Sequence, residues 1–214
     1  TLLRLDLVEG DFLGEPLRDP NGGAIDRVRL YDNQGEPTAL TWNENDYGML
    51  WRWDLAKGMP IGDSLEWPNE EIDGVCLYKQ KENSAVLVWS KSGAIRCWDL
   101  EKGNLLGEIL EEQQRAILEV LVYGQPGKQV ALSLSLDGAI RCWDLEKWKP
   151  IYMPVLTDSA FGVKLFELNG KLMALSWGES KVLRCWSIEE YMYLSNPQEL
   201  HGDGINEGVG ELFF

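Results

Sequence analysis

The hexapeptide Ile95-Arg96-Cys97-Trp98-Asp99-Leu100 returns almost unchanged as Ile140-Arg141-Cys142-Trp143-Asp144-Leu145. Looser copies read Leu50-Trp51-Arg52-Trp53-Asp54-Leu55 and Leu183-Arg184-Cys185-Trp186-Ser187-Ile188, and a fainter one opens the chain as Leu2-Leu3-Arg4-Leu5-Asp6-Leu7. The tryptophans of the four clear copies fall at 53, 98, 143 and 186, separated by 45, 45 and 43 residues. A fixed period of this length marks supersecondary units that bury their faces against one another, so the repeat sets the architecture before any single residue does.

Each unit carries the same order of four short strands. The opening strand reads Val28-Arg29-Leu30-Tyr31, Val75-Cys76-Leu77-Tyr78, Val120-Leu121-Val122-Tyr123 and Val163-Lys164-Leu165-Phe166. Turns rich in Gly, Asn and Pro follow, as hairpins require. The second strand reads Ala39-Leu40-Thr41-Trp42, Val86-Leu87-Val88-Trp89, Ala131-Leu132-Ser133-Leu134 and Ala174-Leu175-Ser176-Trp177, bulky on one face and small on the other. That pattern suits a sheet covered on both sides. The hexapeptide is the third strand. The fourth, such as Ile61-Gly62-Asp63-Ser64-Leu65, carries the Gly and Pro of an edge strand. The expected layout is an all-β chain with a partial unit at 1–20, complete units near 24–66, 72–110, 116–156 and 160–196, and the first strand of a further unit at 205–214. No window sustains helical periodicity between caps.

Composition narrows the partners. The chain has 35 acidic and 20 basic residues for a net charge of −15, which repels nucleic-acid phosphate and anionic lipid and favours a basic partner. Three of the four cysteines, Cys97, Cys142 and Cys185, share one position of successive units. Stacked sheets lie about 10 Å apart, beyond the roughly 7 Å that a disulfide tolerates between Cα atoms. Free thiols and a reducing, cytoplasmic compartment are expected. No apolar run reaches the length of a membrane span.

Four short strands per 40–45 residues, with Trp-Asp closing the third, resemble the WD40 repeat family over nearly the whole chain. The resemblance implies a β-propeller of four-stranded blades, with Trp53, Trp98, Trp143 and Trp186 packed between them. It departs from the family where Gly-His normally precedes each inner strand: the linkers here read Asp19-Pro20-Asn21-Gly22, Trp67-Pro68-Asn69-Glu70, Glu111-Glu112-Gln113-Gln114 and Thr157-Asp158-Ser159. Blades held by packing rather than by the family's His–Ser–Trp–Asp network are therefore expected. The nineteen strands counted are one short of a five-bladed ring, so further blades outside this segment are expected, with a five-bladed ring holding one defective blade or pairing between chains as the alternatives; the resemblance further implies a linked effector domain.

Catalytic chemistry finds little support. His201 is the only histidine, and no C-x-x-C pair, Walker A loop or G-x-G-x-x-G stretch occurs. The acidic pairs Glu111-Glu112 and Glu189-Glu190 are adjacent, and neighbours on a strand face opposite ways. Asn43-Glu44-Asn45-Asp46 offers oxygens but lacks the glycine and distal glutamate of an EF-hand loop. No catalytic residue, metal or cofactor is assigned. Trp42, Trp89 and Trp177, at one repeat position, read as core, whereas Trp67 and Trp148 stand in or beside turns, either as packing plugs or as exposed anchors. The favoured function is a non-enzymatic scaffold that recognises a protein or peptide. Its loops nominate Asp46, Tyr47, Trp67, Lys91, Arg115, Asp137 and Lys181. A carbohydrate-binding propeller and a propeller hydrolase are the alternatives.

Overall fold

The computed structural model describes residues 2–4, 11, 13–43, 48–80, 83–109, 116–124, 129–151, 155–156, 160–179, 183–187 and 210–212. Among them there is no helix, and all strands pair antiparallel in four sheets. Sheet 1 holds β1 (Arg27–Asn33), β2 (Glu36–Trp42), β3 (Met49–Asp54), β4 (Met59–Pro60) and β5 (Leu65–Glu66). Sheet 2 holds β6 (Ile72–Gln80), β7 (Asn83–Ser90), β8 (Ile95–Asp99) and β9 (Leu105–Ile109). Sheet 3 holds β10 (Ile117–Tyr123), β11 (Val130–Ser135), β12 (Ala139–Asp144), β13 (Lys149–Pro150) and β14 (Val155–Leu156). Sheet 4 holds β15 (Ala160–Leu168), β16 (Lys171–Gly178), β17 (Leu183–Ser187) and β18 (Gly210–Leu212). The chain divides into two compact units, Thr1–Glu108 and Ile109–Phe214.

The sheets repeat one register. The leucine of each second strand lies opposite the Arg or Cys of the third: Leu40 with Arg52, Leu87 with Cys97, Leu132 with Cys142 and Leu175 with Cys185. Gly62 and Asp63 split the fourth strand of sheet 1 into β4 and β5, which both pair with β3. β13 and β14 pair with β12 in the same way. One expectation changes. Gly210–Leu212 does not open a further sheet; it pairs with Leu183–Cys185 as the edge strand of sheet 4. The expected fourth strand at 191–194 lies outside the described residues. At the other end, Leu2 and Leu17 exchange backbone hydrogen bonds of 2.9 and 2.8 Å, and Leu13 N–H donates to Arg4 O at 2.9 Å, so the described residues 2–4 and 13–17 pair as expected of a third and a fourth strand.

Within the first unit, Leu40, Trp42 and Leu50 of sheet 1 pack on Val75, Val86, Val88 and Trp98 of sheet 2. Leu2 and Leu17 pack on Ala39, Trp51 and Trp53, on the opposite face of sheet 1. Within the second unit, Leu132, Leu134, Ile140 and Cys142 of sheet 3 meet Val163, Leu172 and Ala174 of sheet 4. Each sheet thus has a forward face, with the second-strand leucine and third-strand Arg or Cys, and a back face. Stacked faces of this kind form the core.

Packing does not act alone. Trp53 Nε1 donates to Thr41 Oγ1 at 2.8 Å, and Trp143 Nε1 donates to Ser133 Oγ at 2.9 Å, both buried. These tryptophan–hydroxyl bonds add to the expected packing, with the hydroxyl supplied by the second strand. Val88 takes that place in sheet 2, where Trp98 instead meets Trp67. The aspartate after each tryptophan turns the chain. Asp99 Oδ1 accepts from Glu101 and Lys102 N–H at 2.8 and 2.9 Å, and Asp144 Oδ1 from Glu146 and Lys147 N–H at 2.8 and 3.0 Å. One apolar and one turn-capping residue, side by side, explain why the dipeptide recurs where it does.

An arginine bridge links successive elements of the first unit. Arg4 Nη1 donates to Leu55 O at 2.8 Å, across to the turn after β3. Arg52, only 4% exposed, repeats this one sheet later, donating to Leu100 O at 3.1 Å in the turn after β8 and to Asp63 O at 3.2 Å. Glycines admit both guanidiniums: a Cβ on Gly58 would stand 2.4 Å from Arg4 Nη2, and one on Gly103 2.5 Å from Arg52 Nη2.

Candidate functional site

Three nominated positions can be placed, and each has a structural commitment. Trp67 is 3% exposed. Its ring lies 6.0 Å from that of Trp98, and the Arg96 guanidinium sits 5.0 Å above it. Arg96 Nε in turn donates to Glu108 Oε2 at 2.9 Å. Trp67 is therefore a packing plug rather than an exposed anchor, because the linker turns inward where its N–H bonds Gly48 O at 2.8 Å. Lys91 is exposed but pairs with Glu71 Oε2 at 2.6 Å, while its N–H bonds Glu71 O at 3.0 Å. Asp137 pairs with Arg141 Nη2 at 2.6 Å and accepts from Ala139 N–H at 2.9 Å. Burial raises the Asp137 pKa, but the Arg141 and Ala139 bonds outweigh it and hold the carboxyl below its ordinary value. Asp46, Tyr47, Arg115 and Lys181 lie outside the described residues. Trp148 is part-buried in a turn at φ 56°.

The same end of the sheets carries a feature that the loop-by-loop reading missed. β6, β10 and β15 each contain a bulge at one register, between Ile72 and Gly74, Ile117 and Glu119, and Ala160 and Gly162. The extra residues are Asp73, Leu118 and Phe161. A bulge re-aims its extra side chain out of the ladder. In sheet 2 the bulge residue is polar: Asp73, two residues on from the Glu71 that pairs with Lys91. In the second unit it is apolar, with Leu118 41% and Phe161 62% exposed. Leu136, 61% exposed, joins that end through its N–H bond to Ala116 O at 2.9 Å. β10 runs beside β15, and Lys164 Nζ spans them to Glu119 Oε1 at 3.3 Å. The described residues of the second unit thus present Leu118, Leu136 and Phe161 beside two ion pairs, Lys164–Glu119 and Arg141–Asp137.

Two bulges are built on a glycine beneath an indole. A Cβ on Gly74 would fall 2.2 Å from Trp89 Cζ2, and one on Gly162 2.3 Å from Trp177 Cζ2. Trp89 is 7% exposed, as a core position should be. Trp177 is 36% exposed, which corrects its assignment to the core. At the other end of sheet 1, a shallow hollow of about 400 Å³ is lined by Leu30, Tyr31, Asp32, Gly35, Pro37, Thr38 and Leu55. Burial pushes the Tyr31 hydroxyl up to about 12 against the opposing pull of Arg52, with Glu101 adding to the rise.

All four cysteines are free. Cys97 and Cys142 are buried, and burial pushes both thiols up to about 12. Cys97 Sγ lies 3.1 Å from the Tyr78 hydroxyl. Among the described residues, no group of three His, Cys, Asp or Glu is placed to hold a metal, and no helix is long and apolar enough to cross a membrane.

No family model matches the chain, and no curated protein does. The fold has relatives among solved structures. The computationally designed Ika8 protein matches 86% of this chain with a TM-score of 0.60 at 18% identity. This chain spans only 51% of Ika8's length. The computationally designed Ika4 protein matches 82% of this chain with a TM-score of 0.58, also at 18% identity, and is itself covered over 99% of its length. At such identities the likeness concerns the arrangement of the strands alone.

Proposed function

We propose that the four sheets are consecutive blades of a WD40-like β-propeller, and that the chain is a non-catalytic module that recognises a protein or peptide. The observation that carries this reading is that three large apolar residues, Leu118, Leu136 and Phe161, are exposed at the bulge end of sheets 3 and 4. Folding gains nothing from large apolar side chains pushed into solvent. Several large apolar residues exposed at one end of neighbouring sheets, next in sequence to charged residues, are of the kind that interaction surfaces use. Two of the three are bulge residues, and the corresponding bulge in sheet 2 carries Asp73, so the backbone device is shared while its cargo differs. A ligand with one or two apolar anchors suits these side chains. The net charge of −15 favours basic residues on either side of them.

The carbohydrate alternative loses support because Trp67, the ring it relied on, is covered by Arg96 and Trp98. Selection of a displayed random-peptide library on the 214-residue chain, with counter-selection on Phe161→Asp, tests the proposal. Enrichment of peptides pairing an aromatic or aliphatic anchor with Lys or Arg is expected. Absence of enrichment, or peptides that bind Phe161→Asp equally well, would overturn it. Specific binding on a glycan array would favour the carbohydrate alternative.

A further inference from the structure

We infer that Arg141 is a positioning residue of the recognition surface proposed above, on which this role rests: it straps the turn after β11 so that Leu136 is held outward as a rigid anchor. The turn is Ser135-Leu136-Asp137-Gly138, closed by the Gly138 N–H to Ser135 O at 2.9 Å with Gly138 at φ +75°. Arg141, on β12, reaches both sides of Leu136. Its Nη2 donates to Asp137 Oδ2 at 2.6 Å, and its Nη1 to Asp137 Oδ1 and to Ser135 Oγ, each at 3.3 Å. Asp137 Oδ1 also accepts from Ala139 N–H at 2.9 Å, which fixes the carboxylate to the backbone beyond the turn. The Leu136 N–H donates to Ala116 O at 2.9 Å, and Ser135 lies opposite Ile117, the residue before Leu118. The chain is therefore tied before, at and after Leu136, while the leucine side chain remains 61% exposed.

The corresponding turn of sheet 2 closes without such a strap. In Ser90-Lys91-Ser92-Gly93 the Gly93 N–H donates to Ser90 O at 3.0 Å, and the Lys91 N–H bonds Glu71 O at 3.0 Å as Leu136 bonds Ala116. The Ser90 and Ser92 hydroxyls meet at 2.8 Å where sheet 3 has Ser135 and Asp137. The matching arginine, Arg96, is turned away to Trp67 and Glu108. Where the turn carries a lysine, the arginine serves the packing around Trp67; where it carries an exposed leucine, the arginine serves the turn. The Arg141 and Asp137 side chains are 17% and 28% exposed, against 51% and 56% for Lys91 and Glu71, so their pair is less screened by water. An apolar anchor held in place before binding loses less conformational freedom when a ligand arrives, and affinity rises accordingly.

A double-mutant cycle on the affinity of a display-selected peptide, read by isothermal titration, tests the role. Leu136→Ala and Arg141→Gln should each weaken binding, Arg141→Gln by about 2- to 10-fold, the cost of ordering one anchor side chain. In the Leu136→Ala background, Arg141→Gln should have no further effect, because the residue that it positions is gone. Arg141→Lys, which can keep a single bond to Asp137, should recover part of the loss. Asp137→Asn weakens the strap from its other end and should reproduce the Arg141→Gln loss, so it decides the matter should Arg141→Gln fail to fold. Additive effects of Leu136→Ala and Arg141→Gln would overturn the inference and leave the recognition surface standing, since Arg141 would then touch the peptide itself or act on the fold at large. Unchanged affinity in Leu136→Ala would overturn it too. A wild-type chain that binds no selected peptide would remove the recognition surface and this role with it.

Discussion

Gly103→Ala separates two reasons for a glycine in the turn after β8. Gly103 has φ +74°, a left-handed conformation that costs a residue with a side chain roughly 1–2 kcal/mol. Its Cβ would also stand 2.5 Å from Arg52 Nη2 and 3.0 Å from Cζ. Arg52 is 4% exposed and held by the carbonyls of Leu100 and Asp63, so its guanidinium cannot retreat without losing those bonds. Overpacking of a fixed group adds about 1–3 kcal/mol. Together, Gly103→Ala should destabilise the first unit by about 2–5 kcal/mol. Gly35→Ala is the control: φ is +90°, with nothing within 4 Å of the Cβ site, so only the backbone cost of roughly 1–2 kcal/mol applies. Urea unfolding followed by tryptophan fluorescence measures both. Arg52→Cys removes the arginine in favour of the residue that the other units carry. In that background, the Gly103→Ala cost should fall to the Gly35→Ala value. Equal costs for the two glycines, or additivity of Arg52→Cys with Gly103→Ala, would refute the argument.

Three further predictions follow from individual contacts. Thr41→Val strands the buried Trp53 indole N–H and should cost about 1–3 kcal/mol by thermal or urea unfolding, although Val88 is native at the corresponding place in sheet 2. Native Cys97 and Cys142 should resist Ellman's reagent at pH 8, since burial pushes their thiols up to about 12, and should react at once in denaturant. Asp99 titrates below its ordinary value: burial raises it, but the Lys102 N–H, the Asn83 amide and the Glu101 N–H outweigh that. Its stabilising contribution is present above the unfolded-state pKa of about 3.9 and is lost as pH falls through the lower folded value, so Asp99→Asn should flatten the acid limb of a stability–pH profile below about pH 4.

The parts legible in the sequence were those whose cause is local. The hexapeptide placed every third strand, because Trp fills the core beside an Asp that caps its own turn. The Gly and Pro of the fourth strand anticipated an edge that breaks at Gly62 in sheet 1 and again between β13 and β14 in sheet 3. What escaped depends on partners distant in sequence. Trp67 reads as a loop tryptophan until Arg96 and Trp98 close over it. Trp177 has the repeat position of a core residue, yet it is 36% exposed, because its burial depends on what packs against sheet 4 rather than on its neighbours in sequence. The bulges left a signal that could have been used: Gly74 and Gly162 interrupt first strands opposite Trp89 and Trp177, and a strand glycine marks a bulge or a close approach. Leu118 and Phe161 follow once that register is known. The arginine–glycine coupling was also visible as a pattern, since Arg4 and Arg52 go with Gly58 and Gly103, whereas Cys97 goes with Trp148.

The proposed recognition surface is tested most directly by isothermal titration of a display-selected peptide into the wild-type chain, Phe161→Asp and Leu118→Asp. The account predicts saturable binding to the wild type and a loss of at least about tenfold for either substitution, equivalent to roughly 1.4 kcal/mol at an interface anchor. Unchanged affinity in both variants would contradict it, and would move the binding site away from the bulges of sheets 3 and 4.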